Sequence, residues 1–354
     1  MQLKEIRQHV GRLFCFGFPG KGVTPWMKEC ADKHFVRSWI LFARNASEAV
    51  QVWELTRAMR HQGTLWMIDH EGGRVVRLPP PVTRFPALGI LGSVGSPDMV
   101  HQAHLFAAKE LAALGFHINL APVLDLRTND TNPVVGDRSF SPNPSSVSKL
   151  GVAAINGITE AGLIPCAKHF PGHGDTPVDS HKALPVVTTP LETIKSRELL
   201  PFKAAIGAHV PMVMMGHLLV KALDPNLPAS LSPAHIDGLL RKELGFNGVV
   251  ITDDLEMSGI TSGYSIEERV LLALKAGTDM LLVCHQQDQQ LRAIEAVIKA
   301  VEGRIIKPER LLQSVARIEE LVRLSAHARS AANAAELSSI LGHPDHQSLA
   351  ACFS

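Results

Sequence analysis

One stretch of the chain, AKHFPGHGDTPVDSH over residues 167–181, concentrates residue types that proton chemistry needs. Its two glycines and two prolines make it a shaped loop rather than a helix. Near its end Asp179 stands two residues before His181. On a loop, that spacing lets a carboxylate hold one ring nitrogen, orient the imidazole and raise its basicity, so His181 could shuttle a proton near neutral pH. A polar loop with solvated histidines is the plainer alternative. Metal binding is a third, since His169, His173, Asp175, Asp179 and His181 are all ligand types. Against it, the loop lacks the HxxxH spacing of a helical metal site, and its glycines and prolines scatter the side chains.

A second stretch, GVVITDDLEM over residues 248–257, runs from β-branched residues into two adjacent acids, Asp253 and Asp254. A carboxylate at the end of a buried strand could attack an anomeric carbon, giving a covalent intermediate and a retained configuration. The alternative is a helix start, where acids favour the macrodipole; Asp254 fits that role, or one orienting its neighbour. In WMIDHEGGRVVR, residues 66–77, Asp69 could accept from two hydroxyl groups and Arg77 could donate to others. Gly72-Gly73 would turn Arg77 back toward them, although an Asp–Arg pair bracing the turn reads equally well. In NPVVGDRSF, residues 132–140, Arg138 is either a clamp or a solvated loop charge.

The elements that must position these groups alternate. Short apolar runs at 13–17, 38–42, 65–69, 117–121, 165–168, 212–216, 249–252 and 280–283 read as strands, with helical patterns between most of them, including 47–61, 97–114, 144–161, 191–208 and 266–276. Ser47, Ser96 and Thr189 suit N-caps, and Pro97 and Pro190 suit first turns. Gly115, Gly162 and Gly277 fall just past helix ends. Eight strand–helix units predict a closed (β/α)₈ TIM barrel, with an open doubly wound sheet as the rival. Barrel chemistry sits at the C-terminal ends of the strands. Polar residues gather there: Asp69-His70-Glu71, Asp125, Lys168-His169, His217, Asp253-Asp254 and His285. No linker interrupts the pattern, so we expect one catalytic domain over residues 1–354, with a helical tail from about residue 324 that forms one more surface helix.

Composition narrows the class. At 45% hydrophobic and 19% charged, the chain suits a globular fold with a large core. A formal net charge of +1 without a basic tract argues against nucleic acid or a membrane surface as partner. The five cysteines, Cys15, Cys30, Cys166, Cys284 and Cys352, are odd in number and scattered, as free thiols in a reducing compartment would be. No signal h-region and no run of 18 apolar residues stands out, so a cytoplasmic protein without a membrane span is expected.

Taken together, KHFPGHG followed by DSH, D-x-EGGRV-x-R, GDRSF and TDDL-x-M resemble glycoside hydrolase family 3 over roughly residues 10–325. The likeness is strongest to its short bacterial members, the NagZ-like β-N-acetylglucosaminidases. The resemblance implies that Asp253 is the nucleophile, His181 the general acid/base and Asp179 its dyad partner. It also implies that Asp69, Arg77, Arg138, Lys168 and His169 bind a terminal N-acetylglucosamine, and that no cofactor or metal is needed. Larger members carry a second domain that supplies a glutamate acid/base; the length of this chain and its DSH point to the N-acetylglucosamine branch.

Retaining hydrolysis is therefore the expected reaction. The substrate implied is a muropeptide-derived disaccharide, N-acetylglucosamine on 1,6-anhydro-N-acetylmuramic acid with or without peptide, cleaved by a monomer in cell-wall recycling. A histidine acid/base departs from the usual carboxylate pair, and one rationale is that it avoids repulsion with Asp253. Three other functions fit parts of the pattern: a phosphorylase in which phosphate replaces water, a metal-dependent hydrolase using the histidine loop, and a non-catalytic sugar-binding protein.

Overall fold

The structure is a computed structural model and describes residues 2–61, 63–129, 131–176 and 183–353. Its strands, in chain order, are β1 (Phe14–Phe16), β2 (Ser38–Leu41), β3 (Leu65–Ile68), β4 (Ile118–Asn119), β5 (Ile164–Phe170), β6 (Val186–Val187), β7 (Met212–Met215), β8 (Leu219–Val220), β9 (Val249–Asp254) and β10 (Met280–Val283). All but β6 and β8 close into a barrel in the circular order β1-β10-β9-β7-β5-β4-β3-β2. Every neighbouring pair is parallel. The alternation therefore builds the (β/α)₈ TIM barrel, not the open sheet. β6 and β8 form a separate parallel ribbon, which the apolar runs do not foretell.

Barrel strands face side chains within and helices without, so their runs are almost unbroken in apolar residues: LWMI, MVMM and MLLV are buried throughout. One core cluster joins β1–β3 and β10 to the helices Leu3–Arg12, Gln287–Glu302 and Pro308–Ser325. In it Phe18 meets Trp39 and Trp66 edge-on, with ring centroids 6.4 and 5.8 Å apart. A second cluster packs β5 and β7 against Pro97–Ala113, Pro144–Glu160 and Leu199–Gly207.

Several boundaries move. Ser96 caps its helix as expected, accepting from the Met99 N–H at 3.3 Å, and Gly115, Gly162 and Gly277 all have positive φ. Ser47 does not cap. Its helix begins at Ala49 after Glu48, and the Ser47 N–H and hydroxyl bond the Gln51 side chain instead. Thr189 does not cap either: its hydroxyl goes to Asp175, and the helix starts at Leu191. The predicted helix at 191–208 is two, Leu191–Ser196 and Leu199–Gly207. β9 runs on to Asp254, so Asp253 and Asp254 end a strand and do not start a helix.

The tail departs most. Two helices, Ala334–Ile340 and Pro344–Ala351, follow Pro308–Ser325, where one was expected. They are anchored by Glu110, a fully buried acid. Its carboxylate accepts from the Thr83 N–H (2.8 Å) and hydroxyl (2.6 Å) and the Gly342 N–H (3.1 Å), and pairs with His346 Nδ1 (2.7 Å). The tail thus grips the loop that follows Arg77.

Candidate active site

The barrel delivers its acids and bases to one rim. A cavity of about 400 Å³ opens there, lined by Asp69, Glu71, Arg77, Arg138, Lys168, His169 and Asp253 among others. That size suits a small ligand held in a cleft. Every site residue predicted from the sequence and present among the described residues lies in this lining. Asp179 and His181 lie outside the described residues.

Lys168 lies near the end of β5 with its side chain only 2% exposed, and it is the centre of the charge network. Its Nζ donates to Asp69 Oδ1 at 2.7 Å and sits 2.6 Å from Glu71 Oε1. Glu71 also takes a bidentate pair from Arg138, with Nε–Oε2 and Nη2–Oε1 both 2.8 Å. Arg138 is therefore not a solvated loop charge. Burial alone would raise the Glu71 carboxyl, but Arg138 and Lys168 outweigh it and hold it well below the usual range. Burial would likewise lower Lys168 and Arg138, yet the facing carboxylates raise both.

Arg77 returns to the cavity because the chain turns sharply after β3. Gly72 and Gly73 adopt φ of +95° and +55°, and a Cβ at Gly72 would lie 2.5 Å from the Pro86 carbonyl oxygen. Only glycine fits there. Arg77 Nη2 stands 3.7 Å from Asp69 Oδ2, a loose pair beside the short Lys168 contact. Its Nε is buried with no hydrogen-bond partner among the described residues.

A second, fully buried carboxylate organises the histidines. Asp125 accepts from the backbone N–H of His169 (3.2 Å) and His173 (2.7 Å), and its other oxygen meets His169 Nδ1 at 2.7 Å. That contact turns the outer nitrogen of His169 toward the cavity. His173 bonds the Thr176 hydroxyl through Nδ1 at 2.8 Å, and burial pushes its pKa down to about 4. Among the described residues no three His, Cys, Asp or Glu side chains gather as a metal site.

Asp253, at the end of β9, faces this cluster. Burial would raise its carboxyl, but His169, His217, the Asp254 N–H and Lys168 together hold it below the usual carboxylate range. An ionised carboxylate therefore shares one cavity with Asp69, Arg77, Arg138, Lys168 and His169.

Residues 7–321 match the N-terminal domain of glycosyl hydrolase family 3. The chain belongs to glycosyl hydrolase family 3. Among family members, the β-hexosaminidase of Idiomarina loihiensis is 38% identical over 86% of this chain and 94% of its own length. A family 3 β-N-acetylglucosaminidase from a Paenibacillus species superposes with a TM-score of 0.94 at 38% identity, covering 98% of this chain and 68% of that one. NagZ from Neisseria gonorrhoeae, solved with N-trifluoroacetyl-D-glucosamine, covers 96% of both chains with a TM-score of 0.78 at 29% identity.

Two groups of this family 3 site have no assigned role in the sequence reading. Glu71 and Asp125 stand out there only as rim acids. For Glu71 a signal exists: it lies two residues beyond Asp69, and extended chain at a strand end sends both to one side. For Asp125 none exists, because His169 is 44 positions away.

Proposed function

We propose that this family 3 β-hexosaminidase is a retaining, exo-acting β-N-acetylglucosaminidase. Asp253 attacks the anomeric carbon and forms a covalent glycosyl-enzyme. His181, held by Asp179, protonates the leaving oxygen and then, as a neutral base, activates the water that releases the sugar with its β configuration. Asp69, Arg77, Arg138, Lys168 and His169 hold the terminal sugar. The reading rests chiefly on one observation: the ionised Asp253 lies in the same cavity as the Asp69–Lys168–Glu71–Arg138 network. A carboxyl serving as the acid would become a second anion beside Asp253 once it gave up its proton, and an imidazole avoids that repulsion.

For the natural substrate, the reading is N-acetylglucosamine on 1,6-anhydro-N-acetylmuramic acid, cleaved by a monomer in the cytoplasm as part of cell-wall recycling. Its support is the sequence likeness to the NagZ-like branch. A panel of aryl β-glucoside, β-N-acetylglucosaminide and β-xyloside tests the sugar, with the anhydro-disaccharide as the natural candidate. Turnover at least about tenfold faster on the N-acetylglucosaminide is expected, equivalent to roughly 1.4 kcal/mol of discrimination. Preference for the glucoside would overturn the reading.

A further inference from the structure

Glu71 takes no step in the proposed mechanism, yet its side chain is only 2% exposed and it is bound by two cations. Lys168 Nζ and Arg138 Nη2 converge on a single oxygen, Oε1, at 2.6 and 2.8 Å, while Arg138 Nε takes Oε2. These three residues come from three separate parts of the rim. Glu71 follows β3, Arg138 sits in the turn Gly136–Arg138 after β4, and Lys168 lies in β5. One carboxylate therefore fixes where two cations stand relative to each other.

The donor inventory shows what this arrangement leaves over. An ammonium has three N–H groups, and Lys168 directs two of them to Glu71 and Asp69. A guanidinium has five, and Arg138 directs two to Glu71 and one to the Val134 carbonyl at 3.2 Å. Both side chains line the cavity, so the remaining N–H groups are available to a ligand there. Without Glu71, two cations would face each other across the vacated position, and Lys168 would have only Asp69 as its anionic partner. Lys168 would then draw Asp69 inward, and Asp69 would lose acceptor capacity for sugar hydroxyls.

We propose that Glu71 is a positioning residue for sugar binding: it holds Lys168 and Arg138 at a fixed separation with donors free for substrate hydroxyls, and it keeps Asp69 from being neutralised by Lys168. The proposal rests on the reading of Lys168, Arg138 and Asp69 as sugar-binding groups. Glutamine is close to glutamate in shape but carries no charge, and its N–H₂ in place of one oxygen sets a donor against a donor of one of the two cations.

The test is steady-state kinetics of Glu71→Gln and Glu71→Asp on an aryl β-N-acetylglucosaminide, with kcat expressed per folded enzyme. A positioning role predicts that KM rises at least about tenfold in Glu71→Gln while kcat per folded site stays within about threefold, the pattern of lost ground-state binding. Glu71→Asp keeps the charge but is too short to span both cations, and should fall between wild type and Glu71→Gln; it carries the test if the glutamine variant does not fold. A merely structural role would lower the folded fraction and leave KM within about twofold of wild type, and that result would overturn the proposal. If the wild-type enzyme cleaves another glycoside of the panel instead, the proposed function fails, and the same KM comparison on that glycoside still decides the role of Glu71.

Discussion

The backbone N–H of Asp254 donates to Asp253 Oδ1 at 2.8 Å, while the Asp254 carboxylate turns away, accepting from the Cys284 N–H at 3.2 Å and pairing with His285 Nε2 at 3.0 Å. Both acids line the cavity, but the Asp254 carboxylate is tied to the residues that follow β10. Asp253→Asn should therefore lower kcat on an aryl N-acetylglucosaminide by at least about 10³-fold with little loss of stability, because the amide keeps the hydrogen bond but cannot form the covalent bond. Asp254→Asn should cost far less. Near-normal turnover by Asp253→Asn, read in a chromogenic assay, would move the nucleophile elsewhere.

Asp125 orients His169 through Nδ1. Asp125→Asn should lower kcat/KM by about 10- to 100-fold, the range expected when a buried charge-assisted hydrogen bond is lost. The effect should match that of His169→Ala in size and should not add to it in the double variant, since the two residues act through one contact. Additive losses would show that Asp125 and His169 act independently.

His181 should reveal itself through the leaving group. A good leaving group departs without protonation, so His181→Ala should lose much less activity on a dinitrophenyl glycoside than on the disaccharide. Equal losses on both would remove His181 from the acid role.

Acid stability should reflect the buried histidines before the carboxylates. Burial lowers His70, His104, His117, His173 and His235 to about 4 in the folded protein. The unfolded chain takes up these protons from about pH 6.5 downward, so stability is lost as pH falls from about 6.5 toward 4. Glu71, Asp125 and Asp253 are held below the usual carboxylate range. Their contribution is present above about pH 4 and is lost only below it. Thermal melts from pH 8 to pH 3 should show Tm falling from about pH 6.5 and again below about pH 4; a flat Tm between pH 7 and 5 would contradict the histidine contribution.

How much of the molecule was legible depends on the range of the interaction. Apolar runs of four or five residues mark the barrel strands because a barrel strand is buried on both faces, and the register of the alternation fixes which rim carries the polar ends. The motif residues at those ends were legible one by one. Their pairing was not. Arg138 is 67 positions from Glu71 and Lys168 is 99 from Asp69, and nothing local in Arg138 distinguishes a buried clamp from a loop charge. The tail fails for the same reason: its Ala- and Ser-rich composition resembles a surface helix, and the contact that anchors it joins His346 to Glu110 across 236 positions. At Ser47 and Thr189 a nearby side chain, Gln51 or Asp175, competes successfully with the helix terminus for the hydroxyl.

Trapping the intermediate tests retaining catalysis through Asp253 most directly. A fluorinated N-acetylglucosaminyl donor with a good leaving group slows both steps but forms the glycosyl-enzyme faster than water removes it. Peptide mass mapping of the trapped protein should place one sugar on the peptide containing Asp253, with no adduct in Asp253→Asn. An adduct on another residue, or rapid turnover giving the α-configured sugar first and no adduct at all, would contradict that mechanism.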